Sequence, residues 1–247
     1  MKGKKMLILI PLLVFVVFLS ACTPDGNGGS SSNGVDQEKL EEKNEKITTL
    51  EEEITRLEEE NMQIEELQER INELEETSED ESQNLLNDGA DVLALLKNKN
   101  MEALKEFIHP EKGLRFSAYP YVDPEEDIVI SKDELVDKFS SDEEYVWGNY
   151  DGKGTPIELS FSDYYDEFIY DENFLEAPII GRNRVVSSGN TIDNVEEVYE
   201  EADFLEFYFD GFNEEYAGAD WRSLKLVFEK DGNTRYLVGI IHGEWTI

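Results

Sequence analysis

Apolar and polar residues follow three different spacings along this chain. Residues 6–19 form an apolar run that contains Pro11. Between residues 36 and 81 the apolar positions recur at steps of three and four, which is the period of an amphipathic helix. In residues 204–210 and 222–229 they recur at every second position, the period of a strand with one buried face. Helices first and strands last predict an α+β protein.

The apolar residues between positions 36 and 81 form the a/d seam of a predicted coiled coil. They are Leu40, Ile47, Leu50, Ile54, Leu57, Ile64, Leu67, Ile71 and Leu74. Asn61 takes an a position, and the short step from Ile64 to Leu67 interrupts the heptad frame. The segment lacks Gly, Pro and aromatic residues, so we expect a rod roughly 70 Å long at about 1.5 Å per residue.

The partner of this predicted stalk, residues 36–81, is left open by the flanking charges. Isoleucine at a with leucine at d favours a parallel homodimer, and a buried asparagine fixes its register. In that dimer two pairs attract, Lys46 with Glu51 and Arg70 with Glu75, and two repel, Glu53 with Glu58 and Glu60 with Glu65. The segment carries twenty acids and five bases. We expect a weak parallel homodimer; a basic heterologous coil and a solitary helix are the alternatives.

The globular part is predicted to occupy residues 83–247, a usual size for one domain. Short helices are expected around Val92 and Leu104, with a break between them at Asn98-Lys99-Asn100, and others after Ser131 and after Ser160 or Ser162. The long strands end the chain, and Asp231-Gly232 predicts a hairpin turn between the last two. This turn would place Leu226 opposite Leu237 and Trp221 opposite His242. The prediction is a curved antiparallel sheet with helices packed on one face.

The amino-terminal residues have the layout of a secretory signal peptide. Three lysines precede the apolar run, which ends at small residues. Its 14 residues are fewer than the roughly 20 that a bilayer-spanning helix needs, although a retained transmembrane anchor is the alternative. Residues 22–35, rich in Gly, Ser and Asn, predict a flexible tether after it.

The sequence Leu19-Ser20-Ala21-Cys22 resembles the lipobox of bacterial lipoproteins. The resemblance implies that residues 1–21 are removed and that Cys22, the only cysteine, carries fatty acyl chains such as palmitate. Two or more acyl chains anchor a protein stably, whereas one does not. It also implies an extracytoplasmic protein held at the outer face of the cell membrane through the lipid on Cys22.

The net charge of the chain limits the classes of partner that we expect. With 58 acidic and 22 basic residues the net charge is −36, and removal of the leader, which carries three lysines and no acid, would make it −39. Such a chain repels phosphate backbones, so we expect no nucleic-acid partner. It also repels anionic headgroups, so the lipid alone should contact the membrane.

Two resemblances concern the globular part. Its helix-first, sheet-last order and terminal hairpin resemble the nuclear transport factor 2-like fold, a cone shared by small enzymes and ligand binders. The segments HPEKGLRFSAY (109–119), YVWGNYDGKGTPIELSF (145–161), DWRSLKLVFE (220–229) and LVGIIHGEWTI (237–247) resemble uncharacterised lipoproteins of Gram-positive bacteria. These lipoproteins have no known activity that could be transferred.

The candidate chemistry lies on the last strand. In the expected register His242 shares a face with Glu244 and, across the hairpin, with Trp221 and Ser223, where a His–Glu pair beside an aromatic wall could bind a ligand or move a proton. His109 is expected to serve as a loop or cap residue. Two histidines and no free thiol give no metal site of the usual zinc type, and no cofactor is expected. The acidic loops, such as 123–127, are expected to be solvated, with weak calcium binding as the alternative. Asp151-Gly152-Lys153-Gly154 predicts a turn. Seven aromatic residues could rim a pocket, although core packing would explain most of them: Tyr119, Tyr121, Tyr145, Trp147, Tyr150, Tyr164 and Tyr165.

These features favour a lipid-anchored protein that presents a binding domain on a helical stalk to an envelope protein or small molecule. An envelope enzyme with His242 as acid–base is the first alternative. An assembly spacer that acts through its coiled coil is the second.

Overall fold

The computed structural model describes the backbone of residues 33–246, with side chains from Gln37 onward. The predicted signal peptide and the lipidation of Cys22 lie outside the described residues, as does most of the predicted tether. The α+β prediction is confirmed: a long helix precedes a six-stranded sheet and a small second sheet. Within the described range, no helix is both long and apolar enough to cross a membrane.

In the described part of the chain, four short helices and eight strands follow the long first helix. The helices are α1 (Asn33–Lys97), α2 (Met101–Leu104), α3 (Leu135–Phe139), α4 (Phe161–Phe168) and α5 (Val195–Val198). The strands are β1 (Leu114–Ser117), β2 (Val129–Ile130), β3 (Glu144–Asn149), β4 (Pro156–Ser160), β5 (Ile179–Arg182), β6 (Asp203–Phe209), β7 (Arg222–Asp231) and β8 (Thr234–Glu244). Short 3₁₀ turns lie at Lys105–Phe107, Phe174–Glu176 and Glu214–Tyr216.

Helix α1 confirms that residues 36–81 are helical and shows that the helix does not stop there. Val92, expected in a separate short helix, belongs to the last turns of α1, so that detail of the prediction is wrong. The helix ends where predicted, at Asn98-Lys99-Asn100: Lys99 has a positive φ of 51°, and the Asn98 amide donates to the Ala94 carbonyl. Whether α1 forms a coiled coil stays a prediction.

The described residues divide into two units, one that ends at Glu69 and one that begins at Arg70. In the described part of the first unit, every side chain of α1 is exposed. In the second unit the end of α1 packs on the sheet through Leu85, Val92 and Leu96, all buried. Gly89 permits this approach, because a Cβ there would lie 2.4 Å from Leu205 Cδ1.

The large sheet is mixed, in the order β2-β1-β8-β7-β6-β5. Most neighbours are antiparallel, but β1 and β8 are parallel, with Arg115 opposite Gly239 and Ser117 opposite Ile241. The expectation of a purely antiparallel sheet is therefore wrong. Strand β1 has four residues, too few for a visible alternation in the sequence, and its pairing with β8 joins segments far apart in the chain. Strands β3 and β4 form a separate hairpin.

The hairpin of β7 and β8 forms, but in a different register from the predicted one. Asp231 pairs with Thr234, so the loop residues are Gly232 and Asn233. A β-bulge then shifts the register: Phe228 pairs with Leu237, whereas Val227 pairs with Gly239. The extra residue reverses the side-chain alternation beyond it. His242 consequently lies opposite Leu224, not opposite Trp221.

The two faces of the sheet carry separate cores. The first face, which includes Leu224, Leu226 and Ile240, packs against α1, α4 and the β3–β4 hairpin in a core rich in aromatic residues. Trp147 of that hairpin stacks on Tyr164 of α4, with ring centroids 4.0 Å apart. The second face carries a smaller core of Val122, Val195, Phe204, Val227, Val238 and Ile241.

The second face also buries a charged group, which we name the buried lysine cluster: Lys225, Glu206 and Asp193. Lys225 Nζ lies 2.7 Å from Asp193 Oδ2 and 2.9 Å from Glu206 Oε1. At these distances the Lys225 ammonium group is within ion-pair and hydrogen-bond range of both carboxylates. Both Lys225 and Glu206 are 0% exposed. The cluster joins β6 and β7 to the segment 183–202 that crosses this face.

Backbone and hydroxyl donors complete the surroundings of Glu206. Its carboxylate accepts from the N–H groups of Val186 and Ser187 and from the Ser187 hydroxyl. Burial alone would raise the pKa of Glu206, but the charge of Lys225 and these hydrogen bonds together hold it below its ordinary value.

Replacing Lys225 by Met should destabilise the fold by about 3–5 kcal/mol, because it leaves a buried carboxylate without its counter-charge. In this variant the pKa of Glu206 rises above its ordinary value, so protonation neutralises it as the pH falls. The loss, measured by urea unfolding, should therefore be smaller at pH 5 than at pH 7. Lys230→Met, which removes an exposed pair with Glu81, is the control and should change stability by less than about 1 kcal/mol. A Lys225→Met variant as stable as this control would contradict the role of the cluster.

Candidate functional site

A cleft of about 470 Å³ lies at one edge of the large sheet. Because β1 and β8 are parallel, their carboxyl ends meet at this edge. The residues that follow β1 line the cleft together with the turn of the β3–β4 hairpin. Its volume is in the range of small-molecule sites. The lining consists of Ala118, Tyr119, Tyr121, Asp123, Glu126, Asp127, Val146, Trp147, Gly148, Asn149, Tyr150, Asp151, Gly152, Gly154 and Thr191.

Local hydrogen bonds set the shape of the hairpin side of the cleft. The Tyr150 carbonyl accepts from the N–H groups of Lys153 and Gly154, which closes the turn predicted at Asp151-Gly152-Lys153-Gly154. Gly152 and Gly154 both have positive φ, which glycine adopts without steric cost. Trp147 is fixed by donating its indole N–H to the Leu159 carbonyl at 3.0 Å. The aromatic wall on this side is therefore rigid.

The loop after β1 is held by its own carboxylates. Asp127 accepts a hydrogen bond from the Ser117 hydroxyl and one from the Asp123 N–H at 3.0 Å. The Asp123 side chain in turn accepts from the N–H groups of Glu125 and Glu126. These bonds place two acidic side chains at defined positions in the cleft lining.

The cleft is acidic, and its lining combines carboxylates with aromatic rings. Four carboxylates line it, Asp123, Glu126, Asp127 and Asp151, and no lysine or arginine of the described part of the chain belongs to the lining. Burial raises the pKa of Asp127 to about 6, although the hydrogen bonds from Ser117 and Asp123 oppose the rise. Hydrogen bonds from Thr246 and Thr191 lower the pKa of Asp151. At neutral pH both carboxylates are therefore charged.

Tyr119 separates this cleft from a second depression of about 250 Å³. The two share Tyr119, Tyr150 and Asp151, and the second adds Lys153, Glu167, Glu244, Trp245 and Thr246. Burial raises the pKa of Tyr119 to about 12, and the nearby charges of Glu244 and Asp151 act in the same direction. Tyr119 is thus neutral and can donate a hydrogen bond.

The residues predicted as one site are divided between the two faces of the sheet. His242 and Glu244 lie on the first face, while Trp221 and Ser223 lie on the second, because the bulge in β8 reverses the alternation. A Cβ at Gly243, the residue between His242 and Glu244, would lie 2.4 Å from Ser223 Oγ and 3.0 Å from the Trp221 ring. The predicted grouping of all four side chains on one face is therefore wrong. Of the four, Glu244 lines the second depression.

His242 is buried and has a partner at each ring nitrogen. Nδ1 lies 3.2 Å from the Ala118 carbonyl and Nε2 lies 3.3 Å from Asp171 Oδ2. Both partners are hydrogen-bond acceptors, so each ring nitrogen faces a group to which an N–H can donate. Burial alone would raise the pKa of Asp171, but the hydrogen bond from His242 and the charges of His242 and Arg222 hold it below its ordinary value. Arg222 also pairs with Glu244 at 3.1 Å.

Trp221 and Ser223 are buried in the second face, and neither lines the two clefts. The Trp221 indole nitrogen and the Ser223 hydroxyl are both buried without a hydrogen-bond partner. His109 acts as predicted in a loop, because its Nδ1 accepts from the N–H groups of Glu111 and Lys112. Among the described residues, no group of three or more His, Cys, Asp or Glu side chains is placed to hold a metal ion.

Part of the cleft lining is predictable from the sequence. Tyr119, Tyr121, Trp147 and Tyr150 belong to the aromatic residues that could rim a pocket, and all four line the cleft. Tyr164 and Tyr165, from the same set, are buried in the core. The contribution of Asp127, Asp151 and Thr191 was missed, because it depends on which loops the sheet brings together.

Comparisons with protein families, with curated proteins and with solved structures found no significant match to this chain.

Replacing Asp127 by Asn should stabilise the fold at pH 7 by about 1–2 kcal/mol, since one pKa unit corresponds to about 1.4 kcal/mol. The folded pKa of about 6 exceeds the unfolded value near 3.9, so between them the folded state keeps a proton that the unfolded chain has lost. Asp127 therefore costs stability above pH 6, and this cost is lost as the pH falls to 4. Urea unfolding at both pH values should show the advantage of the variant shrinking with pH. Asp142→Asn, which replaces an exposed carboxylate, is the control. If Asp127→Asn stabilised the fold equally at both pH values, the raised pKa of Asp127 would be contradicted.

Proposed function

We propose that this protein is a lipid-anchored binding protein of the cell envelope, whose cleft binds a small organic cation. The observation that supports the cation is the cleft lining: among the described residues, four carboxylates and four aromatic rings line the cleft and no basic side chain does. A cleft lined by charges of one sign concentrates ions of the opposite sign.

The aromatic residues favour an organic cation over a bare metal ion. Tyr121 is 51% exposed and Tyr119 is half-buried, so their rings are accessible to a ligand, whereas Lys153 Nζ already lies 5.5 Å from the centroid of the half-buried Tyr150 ring. A cationic nitrogen over an aromatic face gains about 0.5–2 kcal/mol, depending on how far it is desolvated. The ligand class that fits both features is a protonated amine, a guanidinium or a quaternary ammonium group attached to a small carbon skeleton.

The geometry around His242 supports binding better than catalysis. Its ring is 1% exposed and both nitrogens are occupied by Ala118 and Asp171. A general acid–base must reach the proton that it transfers, directly or through a water. The enzyme hypothesis built on His242 therefore receives no support from its surroundings.

The envelope location rests on the leader and the lipobox. Acyl chains on Cys22 would hold the mature chain at the outer membrane surface, and residues 23–32 with α1 would link the anchor to the binding domain. The cone-like curvature of the sheet and the pairing of α1 in a coiled coil belong to the same proposal. The net charge of −36 supports a membrane contact made by the lipid alone.

Choline and its neutral isostere 3,3-dimethyl-1-butanol test the cleft by isothermal titration calorimetry. Choline should bind at least tenfold more tightly than the isostere, because choline carries a positive charge and the isostere is neutral. Tyr121→Ala should weaken choline binding about threefold to thirtyfold. Tyr216→Ala, which removes an exposed tyrosine outside the cleft, is the control and should have no effect. The affinity should fall below pH 6 as Asp127 becomes protonated. Equal binding of both compounds, or no binding, would contradict a cation site.

Mass spectrometry of the protein purified from its native cell tests the anchor. We expect a chain that begins at Cys22 and carries the mass of a diacylglycerol group with additional acyl chains. Cys22→Ser should abolish both the added mass and membrane attachment, while Ser30→Ala should leave them unchanged. A free thiol on a chain that retains residues 1–21 would refute this part of the proposal.

A further inference from the structure

The apolar seam of α1 is exposed along the predicted stalk. Its side chains, from Leu40 to Leu74, range from 45% exposed at Leu57 to 62% at Leu67. We infer that this seam pairs with the seam of a second copy of the chain, parallel and in register, and that two pairs of glutamates keep the pairing weak. The inference concerns a different surface from the cleft and does not depend on the ligand.

The residue types along the seam favour pairing with a second copy of the chain. Ile54 at an a position and Leu57 at a d position follow the choice that favours two parallel strands. Asn61 stands at the next a position. In a parallel, in-register dimer it meets the same asparagine, and the two amides can satisfy each other. Against an apolar residue of an unrelated helix it would be buried without a partner, which costs about 1–3 kcal/mol.

Charges beside the seam complement one another at its two ends. In the parallel register Lys46 faces Glu51 of the other copy, and Arg70 faces Glu75. Each such exposed pair contributes only a few tenths of a kcal/mol to about 1 kcal/mol. They nevertheless oppose an antiparallel or shifted arrangement, which would separate these residues.

The middle of the seam is repulsive. Glu53 faces Glu58 of the other copy, and Glu60 faces Glu65. Arg56 of the same chain lies 3.9 Å from Glu53 and 3.8 Å from Glu60, so it partly neutralises the two glutamates that cause the repulsion. Repulsion between exposed charges is screened by salt, with a Debye length of about 10 Å at 0.1 M and 3 Å at 1 M. Pairing should therefore strengthen as the ionic strength rises.

Disulfide cross-linking in cells that produce the full chain tests the geometry. Leu57→Cys, at the d position, should form a disulfide with its counterpart under mild oxidation, because residues at d face each other at disulfide distance only in the parallel, in-register pair. Glu52→Cys, at the outward f position, and the unmodified chain with Cys22 are the controls. We expect at least tenfold more dimer for Leu57→Cys than for either. Equal cross-linking at both positions, or none, would overturn the inference.

Charge reversal tests why the pairing is weak. Adding Glu53→Lys and Glu60→Lys to the Leu57→Cys chain turns both repulsive pairs into attractive ones and should raise the cross-linked fraction at low salt severalfold. Glu52→Lys with Glu59→Lys is a matched control. It makes the same change in net charge and likewise places two lysines three and four residues from Arg56, but on the outward face. It should leave the fraction nearly unchanged. An equal increase in both variants would show a general charge effect and would contradict the paired glutamates.

Discussion

The β-bulge in strand β8 is the constraint on which the arrangement of the domain depends. Val238 and Gly239 both point to the second face beside Val227, and Gly239 must be small because a Cβ there would lie 2.9 Å from the Tyr199 hydroxyl. Beyond the bulge, Ile240 and His242 turn to the aromatic core, while Ile241 turns to the smaller core. One additional residue thus decides which side chains in the second half of strand β8 face the aromatic core and which face the smaller core.

The parallel pairing of β1 with β8 has the next largest effect, because it decides which loops meet. Their carboxyl ends share one edge, so the loop after β1 lies beside the residues that follow β8. This edge gathers Asp123, Asp127 and Asp151, carboxylates from two separate loops. Gathering these carboxylates has a cost, since burial raises the pKa of Asp127, whereas the fully buried carboxylate Glu206 is balanced by Lys225.

The parts of this fold that the sequence predicts are those that local periodicity specifies. In the helix over residues 36–81 and in the strands on either side of the last turn, apolar residues recur at the expected spacing. The helical segment that follows residue 81 ends at the expected break, at Asn98. The register beyond Val238 could not be predicted, because the bulge depends on packing against Tyr199 rather than on a turn residue. Glu206 and Lys225 occupy positions that the alternation of apolar and polar residues assigns to solvent. Both are buried, because segment 183–202 covers them and each neutralises the charge of the other. Of the candidate site, the tyrosines were foreseeable and the meeting of the two acidic loops was not.

The two outer strands of the large sheet are short: β2 has two residues and β5 has four. An outer strand has unpaired N–H and C=O groups to which a strand of another chain can hydrogen-bond. Although Ile179 and Ile180 of β5 are exposed, the strand continues into Gly181 and Arg182 and is shorter than the six or seven residues that a steric zipper requires. Molecules crowded together at high concentration therefore find little template for amyloid growth on this sheet.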